Sequence, residues 1–267
     1  MSRKITPLGV ITFFVVFFII SPLLVIIPTS LTSVKYLSFP PVGFSFMWYE
    51  KIFDRPEFID SFLFSLQLAA LTAVISTIIG TLAGLALHKY KFRGSSVING
   101  LLLSPLTVPA LIIGIAVLLF FTRMGLAGTF LGLLLAHVLI SIPYVVRLVL
   151  TGLSSFDYTL ERAAYILGAK PFHVFRDITL PLLKPAIMSG MIFAFLTSFD
   201  NVTVSLFLIS PSNTTLPLAI FSYMQETLDP LVASISSVVI LLSLVFIILL
   251  ERVYGLDRLF GSNSQSH

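Results

Sequence analysis

With 57% hydrophobic and only 10% charged residues, the 267-residue chain has the composition of a membrane protein, not of an ordinary water-soluble domain. A formal charge of +4 is too small to argue for nucleic acid. The lack of cysteine excludes disulfides, thiolate metal sites and a cysteine nucleophile, and four histidines, one of them the last residue, leave little for a metal centre.

In chain order, the first apolar run covers residues 8–27 and follows Arg3 and Lys4. It has the ~20 residues a helix needs to cross a bilayer core. No small-residue cleavage site follows Pro28, so it predicts an uncleaved first helix and not a signal peptide. Residues 28–60 predict an extramembrane segment with Pro40-Pro41 and an aromatic cluster, Phe44, Phe46, Trp48 and Tyr49, suited to the membrane interface. A second span over 61–87 carries Gly80 and Gly84, which allow close helix approach, and ends in a basic turn of His88, Lys89, Lys91 and Arg93. A third span over 101–121 has Pro105 and Pro109 near its start, where proline costs least or introduces a kink. A fourth covers 129–149, a fifth 185–209 and a sixth 231–250. The expectation is an all-α membrane protein with six transmembrane helices. Its segments are 1–60, a five-span core over 61–255, and a tail over 256–267.

Six spans put both termini on one side. Twelve Lys and Arg fall there, including Arg3, Lys4, Lys89, Lys91, Arg93, Arg147, Arg252 and Arg258, against Lys35, Lys51, Arg55 and Arg123 on the other. The excess of basic residues on cytoplasmic loops predicts that both termini, and the loop over about 150–184, are cytoplasmic.

That loop is the most charged stretch of the chain, with Arg147, Asp157, Glu161, Arg162, Lys170, Arg176, Asp177 and Lys184. It predicts two short helices joined at a corner. Asp157 is placed as an N-cap, and Glu161 lies in the first turn, where a negative charge suits the helix dipole. Leu160, Ala163, Ala164 and Leu167 form one apolar stripe. Gly168 ends the first helix, Lys170-Pro171 opens the second, and Phe172, Phe175 and Ile178 continue an apolar face until Leu180-Pro181 breaks it. A DNA-binding helix-turn-helix corner also favours Ala and Gly, but its second helix needs an exposed, basic face that these residues do not offer.

Ala163, Ala164 and Gly168, followed by Ile178, Leu180 and Pro181, resemble the EAA loop of permease subunits of binding-protein-dependent ABC importers. Arg162 stands where that signature has its glutamate, with Glu161 just before it. The resemblance covers roughly residues 60–255. It implies a type I ABC importer permease fold with a cytoplasmic coupling-helix hairpin in a bacterial inner membrane. It also implies a second permease subunit, a pair of cytoplasmic ABC ATPases and a periplasmic solute-binding protein as partners. On that reading Leu160, Ala163, Ala164, Leu167 and Phe172 make the apolar ATPase contact, Gly168 forms the corner, and Glu161 or Arg162 supplies an ionic rim. The chain itself has no phosphate-cradling GxxxxGK[ST] loop and no nucleophile elbow, so it is not expected to be an enzyme. ATP and Mg are expected on the partner ATPase, and no cofactor on this chain.

Within the expected spans, Asp200 and Asn201 follow Ser198 and precede Thr203. A carboxylate in mid-membrane costs ~2.5–3.5 kcal/mol on insertion scales, so it faces a bundle interior or a watery cavity. SFDNVTVSLFL is similar to the fifth span of polyamine-type permeases, as are FSFMWYEKIF and SPSNTTLPLAIF to outer segments of that branch. Two readings of Asp200 stand: it lines the translocation path with Ser198, Asn201 and Thr203 and attracts a cationic solute, or it makes an interhelical hydrogen bond. Gln67 and His137 read as structural partners, and Arg147 as a snorkelling anchor. Glu226 and Asp229 give the loop over 210–230 an acidic character. The resemblance implies a polyamine such as spermidine or putrescine as cargo, with ferric iron, phosphonate, opine or thiamine as alternatives. A secondary transporter needs several intramembrane ionisable groups, and only Asp200 and His137 qualify.

Overall fold

The computed structural model describes residues 7–90, 92–210 and 213–254. Arg3, Lys4, Lys91, Arg258 and the tail over 256–267 lie outside the described residues. Every regular element among the described residues is helical. The chain forms two compact units, one from the residues up to Asp60 together with Ala219–Leu249, the other from Ser61–Leu218.

In the first unit, α1 (Pro7–Thr29) is apolar on every side, and Phe13, Phe14, Phe17 and Phe18 are all exposed. A helix of that kind is made to face lipid or another chain. After it, the loop is pinned by backbone bonds from Ser33 to Val42 and from Ser45 to Leu31. Then α2 (Met47–Phe53) follows. The expected interfacial cluster divides here: Phe44 and Phe46 are exposed, but Trp48 is only 2% exposed, with the Lys51 ammonium 4.1 Å from its ring centroid. The Tyr49 hydroxyl meets Ser30 Oγ at 2.6 Å, and Ser234 Oγ donates to the Ser30 carbonyl at 3.1 Å. These bonds tie α2 and α12 (Leu231–Tyr254) to the end of α1.

α11 (Leu216–Glu226) adds a second tie. The Tyr223 hydroxyl donates to Asp229 Oδ2 at 2.8 Å, while Asp229 Oδ1 accepts the Leu231 N–H that opens α12. Arg55, paired with Glu57 at 3.1 Å, lies over the Tyr223 ring. Burial and then the bond to Asp229 push the Tyr223 phenol up to about 12. A raised pKa means the stabilisation is complete below the ordinary tyrosine value of ~10 and is lost as the pH rises through about 12. Tyr223→Phe is therefore expected to lower stability at neutral pH by ~0.5–1 kcal/mol, discounted for partial exposure, as read by thermal unfolding in detergent.

The second unit is organised on α6 (Phe130–Ser154), whose Leu133, Ala136, His137, Val145, Val146 and Val149 are fully buried. The long α3 (Pro56–Lys89) lies against it through the expected glycines. A Cβ on Gly80 would stand 2.6 Å from the Val145 side chain, and one on Gly84 2.8 Å from that of Val149. The close approach demands glycine at both.

Two expected spans are not the simple helices of the sequence reading. The run over 101–121 is split into α4 (Ser95–Leu103), a 3₁₀ turn at Ser104–Leu106, and α5 (Ala110–Arg123), whose axes differ by 104°. Pro105 and Pro109 donate no backbone hydrogen bond, and Pro109 takes an extended backbone that ends the first limb. The expected fifth span starts earlier and stops sooner. Leu180-Pro181 does not break it: α8 (Pro171–Val174), a π turn at Phe175–Thr179 and α9 (Leu180–Phe199) run together as one 29-residue helix. The widened turn, closed by the Leu180 N–H on the Phe175 carbonyl, leaves room for the Pro181 ring. The chain then leaves the helix at residues 200–202 and resumes as α10 (Thr203–Leu208).

Among the described residues four helices are long and apolar enough to cross a membrane, and the bent α4–α5 pair makes a fifth if counted as one span. The apolar part of α12, Leu231–Val245, is a shorter helix, so the expected count of six rests on the sequence.

Candidate functional site

The charged loop folds as two helices joined at the expected corner, the second being the start of the long helix that ends at Phe199 and not the short helix expected. The N-cap position of α7 (Thr159–Ile166) is Tyr158 and not Asp157 as expected; Asp157 lies one residue earlier, and its Oδ1 accepts the Thr159 N–H at 2.9 Å. The Thr159 hydroxyl and then its N–H hold the Asp157 carboxyl below the usual carboxylate range. At the corner Gly168 takes φ +85°, a left-handed conformation that favours glycine, and its neighbour Ala169 donates back to the Ala164 carbonyl at 3.0 Å. Pro171 then opens α8 from an extended Lys170.

The outer side of this corner is apolar and uncovered. Ile166 and Leu167 are 85% and 87% exposed, and Leu160, Ala163 and Phe172 are exposed beside them, with Ala164 half-buried. Ile166 was not part of the expected stripe. Its signal is the adjacent Ile-Leu pair just before the glycine, since both side chains splay outward where the helix ends.

Glu161 corrects the expected ionic rim. It is 8% exposed and turned inward, where its Oε1 accepts the hydroxyl of Thr179 at 2.5 Å, while Arg162 stands at the surface. The carboxylate therefore joins α7 to the π turn at the foot of α9. Behind it lies a cavity of ≈ 220 Å³ whose walls include His88, Lys89, Tyr158, Tyr165 and Phe175. Tyr158 stacks on His88 with centroids 5.8 Å apart, and burial, then the Glu161 charge, raise its phenol pKa. Glu161→Ala would leave the Thr179 hydroxyl with only the Val174 carbonyl at 3.4 Å. The expected cost is ~1–3 kcal/mol, with faster amide exchange through α7, whereas Glu161→Gln keeps an acceptor oxygen and most of the protection.

The second region is the break after α9. Asp200 is not in mid-helix, as expected, but at the C-terminal end of α9, where its N–H still donates to the Leu196 carbonyl. The four expected path residues divide. Asn201 Oδ1 accepts the Val204 and Ser205 N–H groups at 2.9 and 3.4 Å and so caps α10; its sequence signal is an Asn two residues before Thr203. Ser198 is buried and paired with His137, and Thr203 is half-buried. Asp200 is exposed, with no side-chain partner for its carboxylate among the described residues. The interhelical bond that sequence offers as its alternative role belongs instead to His137, which reaches Ser198 and Ser205 together. Gln67, expected as a structural partner, is exposed on α3.

Bilayer-length apolar helices, one of them ending beside a carboxylate, and a two-helix knob between spans define a membrane-embedded protein of several spans. Residues 76–255 match the family of the binding-protein-dependent transport system inner membrane component. The chain belongs to that family. It is 34% identical to the spermidine/putrescine transport system permease protein PotC of Haemophilus influenzae, over 87% of this chain and 90% of that one. It is 32% identical to the putrescine transport system permease protein PotI of Escherichia coli, over 84% and 82% of the two chains. Its fold is similar to a bacterial ABC transporter involved in the import of the acidic polysaccharide alginate, with a TM-score of 0.72, 17% identity, and coverage of 95% of this chain and 99% of that one.

Proposed function

We propose that the chain is one of two permease subunits of an ATP-driven importer of polyamines such as spermidine or putrescine, working with a sister permease, a cytoplasmic ATPase pair and a periplasmic binding protein. The termini and the hairpin face the cytoplasm, the side favoured by the basic residues. ATP and Mg bind the ATPases, and this chain carries the movement and the path.

The observation that carries the cationic cargo is Asp200, a carboxylate left exposed and, among the described residues, without a side-chain partner at a break in an apolar helix. Such a group is expensive in a membrane unless it meets water or a cation, and it attracts ammonium groups. The similarity to two polyamine permeases over more than four-fifths of the chain supports the same cargo. The exposed face around Ile166 and Leu167 is the ATPase contact, with Arg162 at its rim. Because the hairpin's second helix is the beginning of the 29-residue helix that ends at Phe199, a push at Pro171 reaches the break ~43 Å away through one rod. ATP-driven closure thereby opens and shuts the path at Asp200.

The test is uptake of labelled putrescine and spermidine by cells with and without this chain, its partners co-expressed. Loss of ATP-dependent uptake on deletion supports the reading, and unchanged uptake refutes the polyamine cargo. Uptake that survives ATP depletion but collapses with the ion gradient refutes the ABC mechanism.

A further inference from the structure

We infer that His137 is the positioning residue that sets the break in the fifth span, and that its ring does so with the proton on Nε2. The inference rests on reading Asp200 as part of the transport path. His137 is 0% exposed, on α6, and its ring touches both sides of the break at once. Nδ1 lies 2.8 Å from the Ser198 hydroxyl in the last turn of α9, and Nε2 lies 3.0 Å from the Ser205 hydroxyl in the first turn of α10.

The proton positions follow from counting hydrogens. Ser205 has one hydroxyl hydrogen, and it goes to the Asn201 carbonyl at 2.7 Å. Towards the ring Ser205 must therefore accept, so Nε2 carries the hydrogen and donates. In the neutral imidazole Nδ1 is then an acceptor, and Ser198 donates to it. The result is a directed chain from the Ser198 hydroxyl through the ring to Ser205 and on to the Asn201 carbonyl. The same Asn201 caps the N–H groups of Val204 and Ser205. A helix break exposes backbone groups that an apolar medium cannot satisfy, and here side chains satisfy them. Because the imidazole is flat and rigid, it fixes the spacing of the two serines, hence the angle between α9 and α10 and the place where Asp200 stands.

The experiment uses the transporter assembled with its partners. His137→Leu removes both ring bonds, and the expected result is a fall in polyamine uptake of ~10-fold, the size expected for two buried hydroxyls losing a partner. His137→Gln can accept from Ser198 with its oxygen and donate to Ser205 with its nitrogen, and is expected to restore most uptake. The chain lacks cysteine, so a single reporter, Asp200→Cys, reads the break directly on this subunit. Its labelling rate by a charged thiol reagent is expected to change in H137L and return in H137Q, while a Leu167→Cys reporter on the hairpin stays the same. Parental uptake and D200C labelling in H137L would overturn the inference, as would an H137Q variant no better than H137L. Should H137L be lost from the membrane, ¹⁵N-imidazole spectra of the unsubstituted chain, assigned by difference from H137Q, still decide: a proton on Nδ1 overturns it. Asp200→Asn is assayed alongside. If that variant transports normally while H137L does not, the path reading fails and the role of His137 in the break stands.

Discussion

Replacing Leu167 by aspartate is expected to cut ATP-driven uptake by ~100-fold while the subunit stays in the membrane at its normal level. The side chain is 87% exposed, so it contributes little to the subunit's own folding, and a polar residue there is cheap in isolation. On the proposed ATPase contact, the loss arises on docking. A leucine at the centre of an apolar contact contributes up to ~2–4 kcal/mol, and a carboxylate forced into the same groove also has to be desolvated without a partner. Ile166→Asp should behave alike. Gly168→Asn separates shape from chemistry: asparagine tolerates the left-handed conformation at φ +85°, and a Cβ there meets nothing within 4 Å, so most uptake should survive. The measurement is uptake of a labelled polyamine beside immunodetection of the membrane-inserted chain. Uptake near the parental level in both aspartate variants would remove this corner from any ATPase contact.

Asp200→Asn is expected to lower polyamine uptake by ~30-fold, chiefly as a weaker apparent affinity. The substitution keeps the shape and removes the charge. Since no side chain pairs with the carboxylate among the described residues, the fold loses little. On the proposed path, what is lost is a charge-assisted contact to a cation, ~2 kcal/mol at the middle of the usual range, which converts to that factor. Asp200→Glu keeps the charge and should retain much of the activity. ATP hydrolysis stimulated by the binding protein should change far less than uptake, because the hairpin is untouched. Equal uptake by D200N and the parent would leave the permease class standing and send the search to anionic or metal solutes.

The features legible from the sequence are those decided by neighbouring residues. Gly168 and Lys170-Pro171 mark the hairpin corner because φ above zero and the missing proline donor are local facts, and the Gly80 and Gly84 seam follows from the lack of a side chain. Features decided at long range were not legible. Pro181 reads as a helix breaker, but a π turn just before it absorbs the ring. Glu161 reads as a surface charge in the first turn of a helix, but its partner Thr179 lies 18 residues on, and that bond turns it inward. Asp200 reads as a mid-helix carboxylate; Asn201 competes for the backbone donors of the next turn and ends the helix there. His137 looks like an isolated polar residue until two serines from another part of the chain close on its ring.

The π turn at Phe175–Thr179 has a consequence for chain length. An α-helix advances ~100° per residue, so one residue more or less in regular helix turns everything beyond it by that angle. The widened turn takes up one residue more than a regular turn, so the angular phase between Pro171 at one end of the rod and Phe199 at the other stays close to that of a regular helix one residue shorter. Removing a single residue from the turn would let it close into regular helix with the carboxylate's angle nearly kept, whereas removing one from the regular part of α9 would swing the carboxylate by ~100° around the rod. The two ends of the rod, ~43 Å apart, thus stay in step across a five-residue turn that absorbs a residue without turning what lies beyond it.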